Sequence, residues 1–93
     1  MTVPEHLREL GYDPEEIIYF INPSYDSAFI GVSTDNRAIY DFELMVRYLV
    51  KEDQMTEEEA VEFIQYNTIR SLPWVKNSPI VIQDCVVDLN QEN

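Results

Sequence analysis

The sequence predicts an α+β domain: a small antiparallel sheet with two main helices packed on one face, in the order α-β-β-β-α-α-β. Three observations carry this. The runs SAFIGVS (27–33) and RAIYDF (37–42) flank Thr34-Asp35-Asn36. Asp and Asn tolerate positive φ and close tight turns, so the two runs read as a hairpin. Phe42, Met45, Val46 and Leu49 recur at i, i+3, i+4 and i+7, which places them on one apolar helix face. Thr56 and Glu59 have the spacing of a capping box, with Ala60, Phe63 and Ile64 as an inward stripe behind it.

The first element is a helix over residues 3–11, VPEHLRELG, with Pro4 in its first turn and Gly11 at its end. DPEE (13–16) makes a turn or a single helical turn. IIYFI (17–21) is short, apolar and bounded by PEE and NPS, which predicts a strand buried on both faces. Periodicity alone leaves a buried helical turn open there. NPSYD (22–26) is a loop. Gly31, inside the first arm of the hairpin, marks a bulge or a close approach of a helix.

Asp41 is placed to cap the helix over 42–51, where Leu44 and Tyr48 widen the apolar face and Glu43 and Arg47 form an i,i+4 pair. KEDQ (51–54) breaks the pattern, and Thr56 opens the next helix with Glu57, Glu58 and Glu59 in its first turn. Within EFIQYNTIRSLPW (62–74) the stripe falls on polar residues, Asn67, Thr68 and Ser71, while Ile69 and Leu72 lie in another phase. Two outcomes fit: the helix ends near Asn67, or it continues and the Asn67 and Thr68 side chains hydrogen-bond inward. Pro73 ends any helix by about Leu72. PIVIQDCVV (79–87) reads as the last strand, with Cys85 a small core residue, and residues 88–93 are a polar tail. The chain reads as one domain, 1–93, with no internal repeat and with its strongest patterns after residue 25.

Composition narrows the function. Eleven aromatic residues and many Ile and Val supply enough apolar surface to exclude disorder. The net charge is −12, from 18 acids against 6 bases. Such a chain is repelled by nucleic acid phosphates and anionic membranes, and its charge favours a basic partner. One cysteine precludes an internal disulfide and fits a reducing compartment. No apolar run is long enough for a membrane span and no signal peptide opens the sequence, so the cytoplasm is the expected location.

Catalytic patterns are missing. His6 is the only histidine, and it reads as a solvated helix residue rather than the base of a triad. His6 and Cys85 are too few for a His/Cys metal site, and no phosphate-binding or dinucleotide motif occurs. No cofactor is expected, and the chain reads as non-enzymatic. Tyr40, Tyr48, Tyr66 and Trp74 form either an exposed contact surface or, more simply, the edge of the core.

From Asp35 to Glu62 there are nine acids and three bases. If the carboxylates share a face, they present anions at spacings like those of a phosphate backbone, and they fit the basic groove of a nucleic-acid-binding protein. The candidate partner-binding residues are Asp35, Glu43, Glu52, Asp53, Glu57, Glu58 and Glu62. The simpler alternative is that this charge only keeps a thin-cored domain soluble.

FIGVSTDNRAIYDFELMV (29–46), MTEEEAVEFIQYNTIRSLPW (55–74) and SPIVI (78–82) resemble a family of short proteins encoded by phages and prophage-like elements of Gram-positive bacteria. Together they cover about half of the chain, and EFIQYNTIRSLP is its most specific run. The resemblance carries over no reaction and no site residue. It implies a setting, a mobile-element protein acting in the host cytoplasm. Small acidic proteins of that setting often inhibit host machinery, including restriction and CRISPR nucleases, some by imitating DNA. The expected function is therefore binding and inhibition of a basic host protein, a nucleic-acid-directed nuclease above all. The alternative is a structural or assembly protein that forms a small homo-oligomer or a virion accessory.

Overall fold

The computed structural model describes residues 1–84 and is α+β, as the sequence predicts. Helix α1 (Val3–Leu10) opens the chain. Thr2 accepts from the Glu5 N–H, and the Glu5 carboxylate accepts from the Thr2 N–H, a capping box. Gly11 ends the helix at φ 95°, a left-handed conformation that costs glycine little. The helix is tied down at its start, where the Val3 N–H donates to Asp26 Oδ1 at 2.9 Å. Its Val3 and Leu7 side chains are fully buried.

Strands β1 (Phe29–Val32) and β2 (Ala38–Asp41) form the expected antiparallel hairpin. Its turn holds Asn36 at φ 62°. The register shifts between Phe29 and Gly31, which is a bulge. A side chain at Gly31 would meet nothing within 4 Å, so no helix approaches there and the bulge is the reason for the glycine. Asp41 caps α2 (Phe42–Glu52), with its carboxylate accepting from the Leu44 N–H at 3.0 Å. The predicted face of α2 is the buried one: Phe42, Met45, Val46 and Leu49. Helix α3 (Glu57–Phe63) starts on the Thr56–Glu59 box, with bonds of 3.1 and 2.9 Å. It packs against α2, and α2 packs on β2.

Three expectations are corrected. Residues 17–21 are not a strand. Ile17 is buried, but Ile21 is 78% exposed, and the Phe20 N–H donates to the Tyr40 hydroxyl at 3.1 Å instead of to a strand. Both edges of the central strand β2 are already taken, by β1 and by β3 (Ile80–Ile82). The run therefore serves as a cover, anchored through a phenol. The sheet is also mixed rather than antiparallel: β3 pairs with β2 in parallel, Ile39 opposite Ile80 and Asp41 opposite Ile82. Parallel pairing needs a long crossover, which α2, α3 and the segment after them supply. Arg37 staples this seam, donating through Nε to the Ser78 carbonyl at 2.8 Å. The remainder of the predicted strand (83–87) does not continue as strand at Gln83 or Asp84. Cys85 and the tail 88–93 lie outside the described residues.

The phase break in EFIQYNTIRSLPW has a physical cause. Helix α3 continues as a π-helical turn, Ile64–Thr68, and then as a 3₁₀ segment, Ile69–Trp74, that runs through Pro73 and past the end predicted near Leu72, because the fixed φ of proline suits a 3₁₀ turn. The Ile69 N–H donates to the Ile64 carbonyl, an i to i+5 bond that adds one residue to the turn. That residue rotates the following face, so Ile69 packs against the core where an unbroken α-helix would offer a polar position. The predicted polar pair divides. Asn67 is exposed, and Thr68 is buried with its hydroxyl 3.2 Å from that of Tyr25. Thr68→Val leaves the Tyr25 hydroxyl buried without this partner, and a loss of about 1–3 kcal/mol is expected in urea denaturation. Adding Tyr25→Phe is expected to recover most of that loss, because neither hydroxyl then remains.

Candidate functional site

The first turns of α2 and α3 and the residues after β3 enclose a groove of about 710 Å³. Its floor is apolar: half-buried Val61 on α3 is its accessible part, and the core residues Phe42 and Val46, one turn apart on α2 and 7% and 6% exposed, show only their edges. Its rim is acidic: Glu43 from α2, Glu57, Glu58 and Glu62 from α3, and Asp84 beyond β3. Helix periodicity makes this arrangement. Glu58 and Glu62 are i,i+4 neighbours on one side of α3, while Glu57 sits one turn before Val61.

The acids of the segment 35–62 have different local partners. Asp41 is committed to its cap and Glu59 to the capping box. Glu43 meets Arg47 at 3.5 Å on an exposed face. Asp35 is at the hairpin tip, where the Ser33 hydroxyl and then the Arg37 guanidinium, 3.8 Å away, hold its carboxyl below the usual range. Among the described residues, Glu57, Glu58, Glu62 and Asp84 have no ion pair and no side-chain hydrogen bond.

The sequence-predicted site residues thus separate into groups. Glu43, Glu57, Glu58 and Glu62 come together on the groove. Asp35, Glu52 and Asp53 do not line it. Glu52 lies on a second groove of about 590 Å³, beside Lys51, Arg47 and Tyr48, where cations offset it. Asp53 is the exposed C-cap of α2. Sequence reasoning missed Asp84, because it fell inside a predicted strand. Phe42 and Val46 read as core and are core; what the sequence did not show is that their edges, with Val61, form the floor of a groove. A signal existed in the i,i+4 repetition of like charge at Glu58 and Glu62. That repetition costs helix stability, and a locally unfavourable choice is the kind of violation that marks a functional surface.

The other singled-out residues also divide. His6 is not simply solvated: its ring sits 5.6 Å from that of Phe29, and its Nδ1 is buried with no hydrogen-bond partner among the described residues. Tyr40 is fully buried and Tyr48 partly so, whereas Tyr66 and Trp74 are 62% and 87% exposed. Arg70 lies over the Tyr66 ring, 5.8 Å from its centroid. Asn67, Thr68 and Ser71 line a smaller cleft of about 250 Å³ with Asn22 and Tyr25. Among the described residues, no group of three or more His, Cys, Asp or Glu is placed to hold a metal ion. Nor is any helix among them long and apolar enough to cross a membrane.

No family model, curated protein or solved structure matches the chain.

Proposed function

We propose that this chain is a non-enzymatic, phage-type binding protein of the host cytoplasm that engages a basic host protein and inhibits it. A nucleic-acid-directed nuclease is the partner that fits best, because its phosphate-binding cations are the natural complement of clustered carboxylates. The observation that carries this reading is the rim of Glu43, Glu57, Glu58, Glu62 and Asp84 around one groove. Four of these acids have no cation of their own among the described residues. The sequence resemblance to phage-encoded proteins supports the setting. Affinity purification from host lysate, followed by titration of the captured protein, tests the reading. Affinity is expected to fall about tenfold or more between about 50 and 200 mM salt, since exposed charges at an interface are screened. Binding that ignores salt would sink it.

A second reading rests on a separate observation. Trp74 and Tyr66 are large and exposed, and such residues make subunit contacts. In this reading the chain is an assembly protein that forms a small homo-oligomer. Sedimentation discriminates the two: a stable oligomer lost on Trp74→Ala favours assembly, and a monomer at micromolar concentration favours the inhibitor.

A further inference from the structure

The groove says more about its occupant than charge does. A surface that only imitated a phosphate backbone would need carboxylates and nothing beneath them. Here the carboxylates frame an apolar floor of Phe42, Val46 and Val61. We infer that the groove receives a basic amphipathic helix of the partner, with one apolar side chain seated on that floor and Lys or Arg about one turn to either side. This rests on the acidic-surface reading above and narrows it to one kind of segment.

The geometry fits that occupant on several counts. Carboxylates stand on both helices, Glu43 on α2 and Glu57, Glu58 and Glu62 on α3, with the floor contributed by the same two helices. The Glu58 and Glu62 carboxylates have the i,i+4 spacing that a facing helix repeats with its own cations. At about 710 Å³ the groove exceeds a single side chain, so it also holds the aliphatic stems of the flanking Lys or Arg while their charged ends reach the rim. An apolar anchor between charged flanks is the helix-in-groove mode of recognition. Helices that read DNA in the major groove are basic and also carry apolar contacts to bases, so masking such a helix is a direct route to inhibition. The chain's own acidic side chains are repelled by this rim, which disfavours a second copy of the same groove face as the occupant.

The test uses two synthetic helical peptides of Ala and Gln. Each carries Arg three and four residues to either side of the centre, and they differ only in a central Leu or Gln. Fluorescence anisotropy measures their binding to the 93-residue chain. The Leu peptide is expected to bind about tenfold more tightly, the scale of burying one such side chain. Val61→Gln is expected to erase that difference and leave the salt-sensitive binding common to both peptides. Equal affinity of the two peptides for the unmodified chain overturns the inference and leaves the acidic-surface reading standing. That reading fails separately if neither peptide responds to salt. The peptide comparison on the unmodified chain decides even if Val61→Gln does not fold.

Discussion

Tyr40→Ala is expected to remove about 3–5 kcal/mol of stability, enough to unfold much of a domain of this size at 37 °C. Tyr40 is fully buried on the central strand, in ring contact with Phe20 and Phe29 at 4.6 and 5.8 Å. Its hydroxyl accepts from the Phe20 N–H. Truncation therefore opens a cavity and also releases the cover segment 17–21. Tyr40→Phe separates these effects: it keeps the ring and leaves the Phe20 N–H without its acceptor, so only about 1–3 kcal/mol is expected. The same phenol gives an alkaline signature. Burial pushes the Tyr40 hydroxyl well above its ordinary value, and the nearby carboxylate of Asp26 pushes in the same direction. Burial likewise raises that of Tyr25. Above about pH 10 the unfolded chain loses these protons while the folded chain keeps them. Stability is thus fully present below that pH and declines as pH rises beyond it. Urea midpoints measured from pH 8 to 11 are expected to fall, and to fall less steeply in Tyr40→Phe. A flat profile would show that these phenols ionise without opposing the fold.

Charge reversal at the groove is expected to have the largest effect on binding. Glu58→Lys with Glu62→Lys replaces two attractions to a basic partner with two repulsions, and affinity at low salt is expected to drop about 100-fold. The fold should not suffer. Both side chains are exposed. The reversal reduces the excess of negative charge on the chain but sets a Lys in the first turn of α3, against the helix dipole, so the two effects on stability oppose each other. The thermal midpoint is therefore expected to move little as binding collapses. Loss of binding without a matching loss of stability distinguishes loss of an interaction surface from damage to the fold. Unchanged affinity for the partner captured from lysate would remove the groove from the function. Asp35→Lys serves as the contrast. Its carboxylate is engaged by Ser33 and Arg37 away from the groove rim, so little change in affinity is expected.

The elements legible in the sequence were those whose instructions are local. The hairpin turn at Thr34-Asp35-Asn36, the Asp41 cap, the apolar face of α2 and the Thr56–Glu59 box each lie within a few residues, and each formed as read. The box at Thr2–Glu5 is equally local and has the same spacing, but it was not read from the sequence. What stayed hidden depends on residues far apart. Nothing in IIYFI shows that the hydroxyl of Tyr40, twenty residues away, takes its backbone donor. A crossover long enough for parallel pairing also permits antiparallel pairing, so the direction of β3 was not readable. The phase break after Ile64 was visible, but the one-residue expansion that explains it is a backbone event. For the groove, composition gave the charge and helix periodicity gave four of its five acids. Asp84 arrives only through the return of the chain along β2.

That return sets an order of events. The hairpin of β1 and β2 closes across a handful of residues, whereas β3 reaches β2 only after the chain from Phe42 onward has gathered. Loop closure over such a span is slower and entropically dearer than hairpin closure. Asp84, two residues past β3, sits on the groove only once the parallel seam has formed and Arg37 has found Ser78. The complete ring of carboxylates is thus expected to be among the last features of the domain to assemble. Under the proposed function, a nascent or partly opened chain would offer a partner an incomplete surface, and recognition of the groove would also verify that folding has finished.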